Sequence, residues 1–407
     1  MARAMKDSGI EWIGKIPEEW EVKKIKYVSS ITMGQSPNSD DYNIEGIGIP
    51  FLQGNADFTN RYPFEKIYCV NANKFSQPLD ILFSVRAPVG AKNISDKVYA
   101  IGRGLCAITP KQINNNLMWY LIDIINCEFS FNARGSTYDS VTINDVNNSK
   151  IPIHSPTEQK AIADFLDKKC AVIDDTIEKQ KLVIEKLHLY KQSLITEAIT
   201  KGLHPNVKMK PSGIDWIGEM PINWEVSRVK YEFYNLDNRR QPISSENRCN
   251  GEHEYDYYGA SGVIDKIDNY IFDETLILIG EDGANLLLRN LPLIYIAKGK
   301  YWVNNHAHVL KTKKHNSLFY MAYQLELVDL TVYISGSTQP KLTQENLSII
   351  PIVIPPLHIQ HAIIDYLDTK CVEIDSVIIS KQKLINKLAE YKKSLIYECV
   401  TGKREVI

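Results

Sequence analysis

The sequence predicts an α+β protein: two mixed α/β bodies joined by two long antiparallel coiled-coil helices, pseudo-two-fold because the chain is internally duplicated. Three observations predict it. Residues 159–200 recur as 360–401 at an offset of 201, with 21 of the 42 aligned pairs identical and no gap. Residues 8–27 recur as 212–231 at an offset of 204, with 12 of 20 positions matching. Between the two kinds of repeat, short apolar runs alternate irregularly with turn residues and one helical stretch. Long internal repeats mark a duplicated machine. The expected boundaries are 1–157 for the first body, 158–202 for the first helix, 203–357 for the second body and 358–407 for the second helix.

The 407 residues allow two or three domains of ordinary size. Hydrophobic residues make up 44% and charged residues 24%, a normal globular composition. No run of about 18 apolar residues exists, so no transmembrane helix is expected. The opening MARAMKDSGIEW lacks the apolar stretch of a signal peptide. Seven scattered Cys without a CxxC pair argue against a disulfide framework and for a reducing, cytoplasmic setting. A formal net charge of −2 is a poor start for gripping nucleic acid by charge alone. A DNA-reading role then needs basic residues gathered on one face, or a partner that supplies phosphate contacts.

Each half opens with SGI-x-WIG-x-x-P-x-x-W-E-V. Gly and Pro set turns, so the paired Trp residues are expected to clasp the segment against a core, with Trp12 and Trp216 as packing residues. In the first body IGIPFL, PLDILFSV, YAIG and GLCAITP read as strands, and NNLMWYLIDIIN has helical spacing through Leu117, Leu121 and Ile124 or Ile125. In the second, ETLILIG, LPLIYIA, KYWVNN and AHVLK read as strands and LFYMAYQLEL as the matching helix. GSTYDSVTINDV answers GSTQPKLTQENL at offset 201, and RGLCAI is set against NNHAHV at the same offset. The halves share a frame and differ in its interior.

The long repeat carries a heptad seam: Leu166, Ile173, Gln180, Leu187 and Leu194 in one position, Cys170, Ile177, Ile184, Lys191 and Ala198 in the other. Its copy carries Leu367, Ile374, Lys381, Leu388 and Leu395 with Cys371, Ile378, Ile385, Lys392 and Cys399. A 3.5-residue apolar period is a coiled-coil seam, and 42 residues make a helix of about 63 Å. If the two helices run antiparallel with coincident centres, Gln180 meets Lys381. Cys170 and Cys371 are expected to be small core residues.

Catalytic signatures are missing. There is no GxxxxGK[ST] phosphate loop and no DPPY- or NPPF-like tetrapeptide of adenine methyltransferases. His306 and His308, expected on one side of a strand, have no Cys or carboxylate spacing that completes a zinc set. Asp80, Glu281 and Asp282 lie in strand-like segments without a downstream ExK. No catalytic residue, metal or cofactor is expected.

The doubled WIG-x-x-P-x-x-W box, the doubled GST segment and the doubled FLD…ID…YK-x-SLI helix together identify a resemblance. Over essentially its whole length the chain resembles the specificity (S) subunit of type I restriction–modification systems. The resemblance implies that each body is a target recognition domain and that the helices form the conserved spacer. It implies double-stranded DNA, two methyltransferase (M) subunits and restriction (R) subunits as partners. Catalysis, S-adenosylmethionine, Mg²⁺ and ATP then belong to those partners. A coiled-coil adaptor without DNA specificity is the alternative.

Base edges are read by Arg, Lys, Asn, Gln, Ser and Thr on exposed loops. The expected DNA-contacting residues of the first body are Gln35, Ser36, Arg86, Arg103, Arg134, Ser136, Thr137 and Tyr138. Those of the second are Arg239, Arg240, Gln241, Tyr257, Tyr258, Ser261, Ser337, Gln339 and Lys341.

Overall fold

A computed structural model describes residues 3–132, 140–248, 254–313, 315–336 and 339–406. Two compact units emerge: residues 1–181 with 382–407, and residues 182–381. This division cuts through both long helices instead of falling at 157, 202 and 357. Gln180 and Lys381 fall at the division itself.

In the first unit the opening box is a small clasp. Met5–Asp7 pairs antiparallel with Lys15–Pro17, and Gly14 takes the positive φ that closes the turn. Trp20 is fully buried. Its indole stacks on His154 with centroids 4.2 Å apart and donates to Glu158 at 3.0 Å. Trp12 packs against the same core, so the clasp expected of this box is what forms.

Two sheets build the body of this unit. One is antiparallel, in the order Lys92–Ile94, Ile81–Ser84, Leu105–Pro110, Ser29–Met33. The other has five strands, and within it Ile49–Leu52 runs parallel to Tyr99–Ile101. The helix Asn115–Asn132 lays Leu117, Leu121, Ile124 and Ile125 into the core. Its first turn is held by Asn114, whose side chain accepts the Leu117 N–H at 3.1 Å.

The second unit repeats this plan. Trp224 is buried as Trp20 is. The antiparallel sheet runs Phe233–Asn235, Ala307–Thr312, Leu276–Gly280, Ile294–Ala297. In the smaller sheet Tyr255–Gly259 runs parallel to Lys300–Val303. Leu318–Leu327 is the matching helix.

The long helices are Pro156–Lys201 and Leu357–Val400. The glutamine that opens each repeat has a structural task. Buried Gln159 accepts the Asn114 N–H at 2.8 Å and donates to the His154 carbonyl at 2.8 Å. Gln360 does the same with the Ser317 N–H and the Pro355 carbonyl. Each ties the start of the short helix to the start of the long one. In the first unit, Leu166, Cys170 and Ile173 share a core with Leu395 and Cys399. Lys392 reaches Asp174 at 2.6 Å there. In the second unit Lys191 reaches Asp375 at 2.7 Å. Two lysines that interrupt the apolar seam, Lys191 and Lys392, are thus paired with carboxylates. Cys170 and Cys371 are buried, and burial raises both thiols. Among the described residues no helix is long and apolar enough to cross a membrane.

Candidate nucleic-acid interface

Short turns at one edge of each unit carry most of the expected residues. In the first unit Gln35, Ser36 and Arg103 come together. The Gln35 N–H donates to the Ile101 carbonyl at 2.9 Å. The Ser36 hydroxyl accepts from the Gln53 amide at 3.1 Å and from the Arg103 N–H at 3.3 Å. Glycine makes this crossing possible. A Cβ on Gly34 would stand 2.1 Å from the Gly102 carbonyl oxygen, and one on Gly104 would stand 2.8 Å from that of Gln53. Arg86 follows the strand Ile81–Ser84 and bridges to Ser140. The Val85 N–H donates to the Gly104 carbonyl at 3.0 Å, so Arg86 and Arg103 adjoin one backbone hydrogen bond. Both are exposed. Arg134, Ser136, Thr137 and Tyr138 lie outside the described residues, as does Ser337 of the second unit.

The second unit builds the same edge, and hydrogen bonds fix the register. Gly102 N–H to the Leu52 carbonyl corresponds to Asn304 N–H to the Tyr258 carbonyl. Val85 to Gly104 corresponds to Glu281 to His306, and Val141 to Val85 corresponds to Leu342 to Glu281. The bridge between Arg86 and Ser140 corresponds to that between Asp282 and Lys341. Strand pairing agrees, since Cys106 opposes Phe83 and Ser84 opposes Leu105, while Gly280 opposes Ala307. Gly102, not Arg103, therefore matches Asn304, which corrects the sequence alignment of RGLCAI by one residue. Arg103 matches Asn305 and Arg86 matches Asp282. Gln35 matches Gln241, whose N–H reaches the Val303 carbonyl at 3.3 Å. Relative to the strands before them this inserts two residues, in the turn that holds Arg239 and Arg240.

Two expected contacts of the second unit, Tyr257 and Arg240, are corrected. Tyr257 is fully buried, and its hydroxyl accepts the Ile243 N–H at 3.0 Å, so it is a core residue of the smaller sheet. Arg240 is consumed by the fold. Its guanidinium pairs with Glu281 at 2.5 Å and donates to the Ala307 carbonyl at 2.8 Å. Arg239 pairs with Glu274 at 3.0 Å, donates to the Ile271 carbonyl and lies over Phe272, and it stays exposed. Tyr258 is half-buried against Tyr301. Gln241, Ser261, Gln339 and Lys341 are exposed. The indole of Trp302 donates to the Gln241 carbonyl at 2.6 Å, fixing the backbone beneath that side chain.

Beneath this edge lies a buried charged network. His308 Nδ1 is 2.6 Å from Asp237 Oδ2 and Nε2 is 2.7 Å from the Leu342 carbonyl oxygen. Burial pushes the Asp237 carboxyl up, but hydrogen bonds from His308 and the Val309 N–H, with the Arg240 charge, hold it below the usual range. Burial likewise raises Glu281, and Arg240 and Lys341 more than offset it. Both ring nitrogens of His308 are thus engaged, one with a carboxylate and one with a backbone carbonyl. Asp237, Glu281 and His308 place ligand-type atoms within 4.8 Å of one another. Both imidazole nitrogens already have partners, however, and Arg240 and Lys341 already balance the carboxylates. The cluster is an ion-pair network, not a metal cradle. His306 and His308 do not share a side: His306 is exposed on the preceding turn with Asp282 Oδ2 at 2.7 Å, and His308 is buried in the strand.

The model of the type I restriction modification DNA specificity domain matches the chain twice, over residues 17–186 and 221–389. The chain belongs to this family. It is 39% identical over 193 residues to the putative type I restriction enzyme MjaX specificity subunit of Methanocaldococcus jannaschii. That match spans 46% of this chain and only 44% of that protein. It is 24% identical to the type I restriction enzyme MjaIX specificity subunit of the same organism, over 97% of this chain and 95% of that protein. A solved chain from "Structural basis underlying complex assembly and conformational transition of the type I R-M system" superposes with a TM-score of 0.76. It is 16% identical, with 96% of this chain and 99% of that chain covered, a likeness of fold.

In the chain's two DNA specificity domains, sequence reasoning missed Gln53, Asp282, Asn305 and His306 at the edge. The signal that finds Asp282 and Asn305 is the strand register, which matches them to Arg86 and Arg103 of the other unit. A constant offset hides that register because the two interiors differ in length.

Proposed function

We propose that this chain is the DNA-specificity subunit of a type I restriction–modification complex and reads a bipartite target, one half-site per unit. The observation that carries this reading is the matched edge: one backbone frame, twice, with different side chains at equivalent turns. A fixed frame with interchangeable polar residues is what base-edge readout requires. The long helices act as an antiparallel coiled-coil spacer whose length sets the unread gap between half-sites, as dimer geometry sets half-site spacing in other readers. Double-stranded DNA, two methyltransferase subunits and restriction subunits are its partners. They carry the chemistry, and the setting is the cytoplasm. A chain with formal charge −2 then shares phosphate contacts with those partners.

One turn inserted in both long helices lengthens the spacer by about 5.4 Å. At about 3.4 Å per base pair, the gap in the methylated motif is expected to widen by one or two base pairs while both half-sites stay the same. Sequencing the methylated sites of a host carrying the mutant system reads this directly, and an unchanged gap contradicts the spacer role.

A further inference from the structure

The edges of the two units differ in electrical sign at matched positions. The first presents Arg86 and Arg103 on either side of the Val85–Gly104 hydrogen bond. Among the described residues neither arginine has an ion-pair partner, and both are exposed. The second presents Asp282 and Asn305 around the equivalent Glu281–His306 bond, with His306 Nδ1 2.7 Å from the Asp282 carboxylate. Both edges are stiff. Gly34 and Gly104 pack too closely to admit a Cβ in the first, and Gly280 would meet the Ala260 carbonyl oxygen at 2.6 Å in the second.

A phosphate is negative in every sequence. A position serving the DNA backbone in both frames would therefore be cationic or neutral in both, and a carboxylate there would be repelled. Base edges, in contrast, change hydrogen-bonding sense from one base to another. Arginine is matched to the O6 and N7 acceptors of guanine, and a carboxylate to the amino donor of cytosine. We propose that the two half-sites are read in opposite hydrogen-bonding sense. Arg86 and Arg103 read guanine in one, and Asp282, oriented by His306, reads an exocyclic amino group in the other. This rests on the DNA-reading function above and adds the chemistry of each half-site.

The test maps methylated motifs by sequencing a host that carries the complete system with the wild-type chain, Arg86→Gln, Arg103→Gln or Asp282→Asn. Melting of each purified variant checks that the fold survives, as the exposure of all these side chains except half-buried Asp282 favours. The wild-type motif is expected to contain guanine in one half-site. At least one arginine variant should lose discrimination at that guanine by roughly five- to a hundredfold, with the other half-site unchanged. Asp282→Asn should relax a cytosine or adenine position in the other half-site only. The proposal is overturned if neither half-site has a guanine that depends on these arginines. It is equally overturned if the variants weaken all sites alike and flatten the salt dependence of binding, the mark of phosphate contacts. A wild-type system that leaves no bipartite motif at all removes the DNA-reading function with it, an outcome distinct from a motif indifferent to the arginines.

Discussion

Under the edge of the first unit lie Val85 and Cys106, buried in its apolar core, and Met33, half-buried against that core. At the same three places the second unit has Asp237, Glu281 and His308, tied to Arg240 and Lys341. One frame thus supports its loops in two ways. The apolar version follows from burial alone, and burial pushes the Cys106 thiol up to about 12, leaving it an inert packing residue. The ionic version links four segments of the chain, at residues 237–240, 281, 308 and 341, and depends on every partner being present. Apolar support tolerates change of shape, whereas a buried charge without its counter-charge does not.

The largest expected effect comes from breaking the ionic support. Asp237→Ala leaves His308 and Arg240 without their shared carboxylate and is expected to destabilise the second unit by about 3–5 kcal/mol. Cys106→Ala, at the place that His308 takes in the second unit, should cost only about 1 kcal/mol. Denaturant unfolding of the two variants compares them, and equal losses would remove the distinction between the supports.

A second contrast is in pH. Burial lowers His154 of the first unit from 6.5 to about 4, while the Glu158 charge pulls the other way. The unfolded chain takes up this proton near pH 6.5 and the folded chain only near 4. Stability from this group is therefore full above pH 6.5 and is lost as pH falls towards 4, on the order of 3 kcal/mol in all. The second unit has Pro355 at the matching position. His154→Phe keeps a ring against Trp20 and is expected to flatten the pH dependence of the first unit's unfolding between 6.5 and 4. An unaltered slope would assign the acid sensitivity elsewhere.

The smallest effect concerns a feature the units share. Lys392–Asp174 in the first and Lys191–Asp375 in the second are half-exposed pairs. Lys392→Ala and Lys191→Ala should each cost no more than about 1 kcal/mol, less at high salt. A markedly larger loss in one unit would mean that its helix halves rely on the pair as the other's do not.

The sequence made the frame legible because duplication wrote it twice. The Trp box, the long helices, most core strands and Gln159 with Gln360 could all be found from repeats and periodicity. The edge was legible only in part. Gln35, Ser36, Arg86 and Arg103 are polar residues on Gly-rich turns, and the turns are where expected. Tyr257 and Tyr258 are adjacent, and alternation along a strand does not say which of the two faces inward. Arg240 reads like any exposed arginine until Glu281, some forty residues on, folds against it. The one-residue error at Arg103 arose because insertions in the two interiors shift the offset, and only the hydrogen-bond ladder restores it.

The most direct measurement replaces residues 25–153 with a second copy of 229–354, so that both units carry the same edge. The joins fall at matched places, Ile25 N–H to the Ser149 carbonyl and Val229 N–H to the Ile350 carbonyl. Methylated sites are then mapped in a host carrying the complete system. If each unit reads its own half-site, the motif will consist of the second half-site twice with the gap unchanged. A motif that keeps the original first half-site would contradict the assignment of one half-site to each unit.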